Sequence, residues 1–538
     1  MLKADDVTVA RTGRVLLALG TLLCLCFIWL PQYFLTGDGP CHVANARIVH
    51  DIWAGNEHAV FWKQFIRIDY APNPNWFTTA CVALLMYVMD GVTAEKVFLS
   101  LYVLFFLRGY YLLMRQTGCP APLWYLAVLP FVFTSVLFKG FYNFSFSMVF
   151  LIWGLYAWLS FLHYKKGHYV ALFVLFVVLC FFTHLLSFVY VFIICGALVI
   201  SFAATDAKNN WWRYFIRHEA LLILVALPFL LPIRWFTDKE GGLALQLGFH
   251  GWRLVKLLQM EHMVCLKSKE YAWTTACGAV IALLMLGAIA TIVRKRSWHR
   301  LDGFVLAFVI IALIYLLFPD DMFGRAMEMA LRTQAVVSIL LVLVISYRAG
   351  NGRVLNAAGV VLFLCFAALM ARRGRCMFKA SAAESELMSV LPYIAPHSVV
   401  LPLDFSPSGT DDYGDAIADR IWLYSHAGQY IGVKKPVMVL DNYEANMGYF
   451  PTIWQARVNP YWALSKEEGI EATPPYAEIM KYTRNTGVSI GYIVLWGYQQ
   501  VFLDNAHFRK LWIEINENYH VVYRSVHGRA ILYERNRG

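Results

Sequence analysis

The chain has 538 residues, of which 59% are hydrophobic and 15% charged, against roughly half apolar and a quarter charged in soluble domains. With a mean hydropathy of +0.54, this composition excludes an ordinary soluble enzyme and predicts a mainly α, polytopic membrane protein. The net charge of +11 does not indicate nucleic acid as a partner. Much of the Lys and Arg lies in short loops between apolar runs, as with Arg213 and Arg217, then Arg294, Lys295, Arg296 and Arg300, which is the pattern of cytoplasmic loops.

The first apolar segment, 15–35, follows Arg11 and Arg14. It is longer than a signal-peptide core and lacks a small-residue cleavage site, so it reads as a retained transmembrane helix with a cytoplasmic amino terminus. Residues 36–96 then hold TGDGPCHVANARIVH at 36–50, an amphipathic run at 43–53 and a loop at 69–75 with two prolines. Their one apolar run, 76–89, falls short of the roughly twenty residues needed to span. If it crossed, every basic loop downstream would lie outside. If it lies along the membrane surface, all of them fall inside, so 36–96 is expected to be one long first external loop with interfacial helices.

Ten further spans follow at 97–114, 123–138, 144–162, 169–182, 185–202, 220–236, 271–293, 303–318, 334–347 and 355–371, about eleven in all. The runs 169–182 and 334–347 are short enough to be tilted or broken. The external side then collects TGDGPCH, KGFYN at 139–143, Thr183 with His184, and the segments 237–270 and 319–333. Residues 1–371 form the expected transmembrane domain. From Arg372 the composition turns soluble, and 372–538 reads as a separate external α/β domain. Strands are expected at 398–403, 437–440, 488–495, 521–524 and 530–533, with helices at 415–426, 476–483 and 505–514. The 11 cysteines spell no metal framework, and a Cys41 to Cys81 disulfide stays open on spacing alone.

Charged groups near a bilayer are costly, so those at span ends on one side are the functional candidates. Asp38 leads, between two glycines and ahead of Pro40, where a sharp turn can aim the carboxylate into a cavity. The alternative is a helix cap, with Asp38 or Thr36 satisfying free N–H groups. His42, one turn on, and His184, between two apolar runs, are either partners in such a site or structural hydrogen-bonding residues. Lys139 could hold a phosphate and Asn143 a sugar hydroxyl; the alternative is a lysine that snorkels. Arg325 and Arg332, seven apart, would share a helix face suited to a phosphate, or else pair with Asp320, Asp321 or Glu328. No HExxH spacing appears, so a tightly held zinc is not indicated, while a carboxylate-bound Mg2+ or Mn2+ stays open.

This layout resembles the GT-C superfamily of integral membrane glycosyltransferases, which use polyprenyl-phosphate sugars. GDGPCHVANARIV matches the acidic position just past the first helix, and KGFYNFSF, the THLL break and the segment ending in LRTQ look like parts of bacterial members. The resemblance carries over Asp38 alone; the reaction expected from it has Asp38 as general base, with His42 or His184 orienting it and Lys139, Asn143, Arg325 and Arg332 as the substrate-binding candidates read from the residues. It implies a polyprenyl-phosphate sugar donor, a lipid, glycan or protein acceptor, and a bacterial inner membrane with the carboxy-terminal domain periplasmic. Many relatives carry paired acids in the first loop, whereas Asp38 is followed by glycine and proline; Asp51 and Asp69 are the candidates for a second. The alternatives are a secondary transporter, against which the absence of internal repeats counts, and a polymerase or ligase of lipid-linked glycans.

Overall fold

The computed structural model describes residues 4–206, 210–239, 247–322, 325–326, 328–411, 413–465 and 469–537. Among them nine helices are long and apolar enough to cross a membrane, from Val7–Trp29 to Gly352–Tyr393. The expected spans 123–138 and 169–182 fall on the shorter apolar helices Pro122–Phe138 and Gly167–Thr183, which are not among the nine. Trp76–Leu85 is helical over only 10 residues, too few to span. The spans differ in what they face. Tyr142–Tyr164 and Met329–Arg348 are almost entirely buried within the protein, whereas Trp211–Arg234 keeps most of its apolar side chains uncovered, as suits a helix against lipid.

The chain forms two compact units. The first comprises Met1–Phe27, Ser100–Leu137 and Tyr142–Arg373. Within it the Arg348 guanidinium meets the Asp302 carboxylate, and Arg373 meets Glu270 at 2.9 Å, each pair buried. Such charges persist in an apolar bundle only when paired.

The second unit comprises Ile28–Leu99, Phe138–Phe141 and Gly374–Gly538. Its centre is a five-stranded mixed sheet. Val399–Asp404 runs parallel to Met438–Val439 on one side and Tyr492–Trp496 on the other; Ala530–Arg535 then pairs antiparallel with both Tyr492–Trp496 and Tyr519–Arg524. A further antiparallel ribbon joins Ile66–Ile68 to Thr452–Trp454. One apolar core runs through both, with Trp62, Leu401, Leu403, Tyr482, Ile493 and Phe508 in it.

The helix expected at 415–426 is instead a series of turns, and the helix in this stretch is Gln429–Lys434. Asp411 explains the difference: its carboxylate accepts the Tyr413 and Asp415 N–H groups at 3.0 Å, a local side-chain bond that competes with helix. The helix expected at 476–483 is Ile479–Thr486, and that at 505–514 is Ala506–Asn518, the latter capped by Asn505 through the His507 and Phe508 N–H groups. Cys41 and Cys81 are both free thiols, and Cys41 is hydrogen-bonded to His426 rather than oxidised.

Candidate functional site

Asp38 lies in the second unit, where two glycine-bearing turns interlock. The Gly37 and Asp38 N–H groups donate to the Phe138 and Lys139 carbonyls at 2.9 and 3.0 Å. A side chain at Gly140, φ +90°, would place its Cβ 2.3 Å from the Asp38 nitrogen, and one at Gly37 would stand 2.8 Å from the Lys139 carbonyl oxygen. Only glycine permits this approach, so GDG and KG are matched pieces of one backbone clasp, and Lys139 stands on the turn that grips Asp38.

Asp38 occupies the N-cap position of the helix Gly39–Ala54, with Pro40 in the first turn, but makes no side-chain cap bond. The Asp38 side chain therefore does not cap this helix. The half-buried carboxylate instead accepts a hydrogen bond from the Tyr443 hydroxyl and lies in the field of His426, Glu444 and His42. Burial raises its pKa above the ordinary aspartate value, and His426 and the Tyr443 hydrogen bond offset this in part.

Further residues complete the cluster. His42 Nδ1 is 2.8 Å from Glu444 Oε1. Burial opposes charging of this imidazole, but the Glu444 carboxylate outweighs it, so the His42 pKa is raised. Glu444 Oε2 accepts from Asn45 Nδ2 at 2.8 Å, and Asn45 and Asn442 hydrogen-bond amide to amide. Tyr443 stacks on His426, ring centroids 4.7 Å apart, and His426 Nδ1 stands 3.9 Å from Asp441 Oδ2. Glu444, Tyr443 and His426 lie some four hundred residues beyond Asp38 in the chain. No local motif marks them, since their role comes from docking the helix Gly39–Ala54 against the carboxy-terminal segment. The acid that stands with Asp38 and His42 is Glu444, while Asp51 and Asp69 are engaged by other partners. Asp51 accepts from Arg47, Asn56 and Trp62 at 2.8 to 2.9 Å; Asp69 accepts from Ala71 N–H and Asn73.

The first unit brings together a different set. His184, at the break between Gly167–Thr183 and Leu185–Asp206, has Nε2 3.1 Å from Arg332 Nη1. A guanidinium only donates, so the ring accepts there and is neutral. The Arg332 guanidinium also lies over the Phe144 ring, 5.6 Å from its centroid, and Phe144 meets His184 edge-on at 5.2 Å. Asn143 is buried beside Phe144 in the first turn of Tyr142–Tyr164.

The expected helix face shared by Arg325 and Arg332 does not form. Arg325 pairs with Met322 in a two-residue hairpin, its side chain lies outside the described residues, and the helix begins only at Met329. Asp320, one proposed internal partner, is taken instead by Arg253 at 3.0 Å and by the Ala330 N–H at 2.7 Å. Among the described residues no three His, Cys, Asp or Glu side chains are grouped as metal ligands.

No family model and no curated protein matches the sequence. A solved structure does match: ArnT from Cupriavidus metallidurans bound to undecaprenyl phosphate, with a TM-score of 0.54 at 9% identity over 96% of this chain and 97% of that one. The chain shares the fold of that ArnT structure. Agreement over nearly both full lengths includes the segment 372–538, and the fold with its polytopic helices makes this a multi-pass membrane protein.

Proposed function

We propose that the protein transfers a sugar from a polyprenyl-phosphate donor to a hydroxyl-bearing acceptor at the periplasmic face of a bacterial inner membrane, with Asp38 as general base. The observation that carries this is the state of Asp38: it stands at a helix N-cap yet caps nothing, and it is half-open with its proton affinity raised. A base of this kind suits abstraction of a hydroxyl proton. The fold neighbour, solved with undecaprenyl phosphate, supports the donor class.

In the proposed reaction the acceptor oxygen attacks the anomeric carbon, the bond from that carbon to the lipid phosphate breaks, and the acceptor proton passes to Asp38. Glu444 raises the pKa of His42, and His426 and His42 offset part of the rise that burial gives Asp38. Charge developing on the leaving phosphate calls for fixed cations. Lys139, on the turn clasped to Asp38, is proposed for this. Within the first unit, Arg332, oriented by His184, is proposed as a substrate-binding cation. Asn143 is proposed to bind a sugar hydroxyl and Arg325 to bind phosphate. A carboxylate-bound divalent cation is a further proposal, and none of these steps runs through one.

Purified protein in nanodiscs, given a radiolabelled polyprenyl-phosphate sugar and a membrane-lipid extract as acceptor, is expected to convert label into a new product and release polyprenyl phosphate. Solute uptake by proteoliposomes with no glycosyl product would overturn this assignment in favour of a transporter.

A further inference from the structure

Two imidazoles meet on the surface of the second unit, one from the loop that follows the helix Gly39–Ala54 and one from the carboxy-terminal segment. His58 Nδ1 and His397 Nε2 stand 3.0 Å apart, with ring centroids separated by 5.2 Å. His58 is half-buried and His397 exposed, so solvent reaches the pair. Neither is among the residues whose charge acts on Asp38.

The backbone holds both rings in place. The His58 N–H donates to Asn56 Oδ1 at 3.0 Å, at the start of the short helix Ala59–Lys63. The His397 N–H donates to the Pro436 carbonyl at 2.8 Å, and the Phe61 ring packs against the His397 ring, centroids 5.2 Å apart. His397 has φ +58°, an uncommon backbone for a residue other than glycine, and strain of that kind gathers at ligand-binding positions.

The protons matter next. Glu57 Oε1 lies 3.8 Å from His58 Nε2, and the carboxylate favours the tautomer with its proton on that nitrogen, which leaves the Nδ1 lone pair facing His397. His397 meets it with Nε2–H. If that proton moves to His397 Nδ1, two lone pairs converge. Two imidazole nitrogens bound to one metal ion at about 2.0–2.1 Å are separated by about 2.9 Å in a square arrangement and about 3.4 Å in a tetrahedral one. The observed separation of 3.0 Å therefore suits two adjacent ligands of one ion.

We propose that His58 and His397 form a two-histidine site for a divalent transition metal, with Cu2+ preferred to Ni2+ and Zn2+. Glu57 orients His58 as a carboxylate behind a metal-bound histidine does. Among the described residues no group of three His, Cys, Asp or Glu side chains forms here, so water fills the remaining positions and the ion exchanges with solvent. The two ligands are 339 residues apart. A bound ion thus staples the start of Ala59–Lys63 to the turn ahead of Val399–Asp404 and stabilises the second unit.

The test is Cu2+ titration of the full-length protein in phosphatidylcholine nanodiscs, read by electron paramagnetic resonance, beside His58→Gln, His397→Asn and Glu57→Gln. Asparagine at 397 keeps a residue that tolerates the left-handed backbone. The wild type should bind a Cu2+ ion showing two equatorial imidazole nitrogens. Each histidine variant should lose that signal and bind the ion at least roughly tenfold more weakly, while Glu57→Gln, at an exposed position, should weaken it roughly threefold. Cu2+ should raise the thermal midpoint of the wild type more than that of either histidine variant, and Mg2+ should not compete. A wild-type spectrum with fewer than two nitrogens, or a two-nitrogen ion held equally well by all three variants, would overturn the proposal. Glu57→Gln decides even if both histidine variants fail to fold. No sugar donor enters this assay, so its failure leaves the proposed glycosyl transfer to its own test.

Discussion

Asp38 stands at the N-cap of the helix Gly39–Ala54 and Asp51 lies in its last turn. The structure separates them by what their oxygens touch. Asp51 is fully buried and ringed by donors, with Arg47, His50, Asn56 and Trp62 all within 2.9 Å. Burial alone would raise its pKa, but the Arg47 and Trp62 hydrogen bonds overcome this and hold it below the ordinary value. Asp38 has the Tyr443 hydroxyl and part of its surface open, and its pKa is raised. A carboxylate whose lone pairs are all committed holds structure. One left with spare basicity can take a proton from a substrate.

That contrast can be broken at either end of the helix. The largest effect is expected at Asp38: Asp38→Asn should lower turnover by about 10²- to 10⁴-fold with an unchanged thermal midpoint. Asp51→Asn should do the reverse, because it strands several donors around a buried position. It should lower unfolding stability by on the order of 3 kcal/mol while the molecules that remain folded keep turnover within a few-fold. The pH dependence follows from the lowered pKa. Asp51 contributes its stabilisation above the unfolded carboxylate pKa of about 3.9 and loses it as pH falls through the lower folded value, so Asp51→Asn should flatten the acid limb of a stability profile.

A smaller effect sharpens the comparison at Asp38 itself. The Tyr443 hydroxyl is one of the groups holding its pKa down, so Tyr443→Phe should raise that pKa further. Turnover requires ionised Asp38, and the acid limb of the pH–rate profile should therefore move to higher pH by roughly one unit, the worth of a single hydrogen bond. An unmoved limb would mean that another group sets it.

Much of the fold was legible because bilayer thickness and backbone hydrogen bonding leave helices few alternatives. The spans between Gly91 and Arg348 follow from apolar run length, and the short run at Trp76–Leu85 from its lack of it. Asp38 was legible for a related reason: an acid between two glycines at a span end is costly unless used. Its partners were not. Glu444, Tyr443 and His426 sit in turn-rich sequence whose placement depends on packing contacts with the helix Gly39–Ala54. The ribbon of Ile66–Ile68 with Thr452–Trp454 likewise joins segments that no local periodicity relates. The segment 319–334 misled for the opposite reason. Its charge spacing fits a helix, but the hairpin at Asp321–Met322 and Arg325–Ala326 delays the helix to Met329 and parts the two arginines.

The comparison of the two aspartates is tested most directly by assaying wild type, Asp38→Asn and Asp51→Asn together, following release of polyprenyl phosphate from a labelled polyprenyl-phosphate sugar and normalising to folded protein. The expected result is turnover by wild type and Asp51→Asn and almost none by Asp38→Asn. Turnover by Asp38→Asn equal to wild type would contradict the assignment of Asp38 as the base.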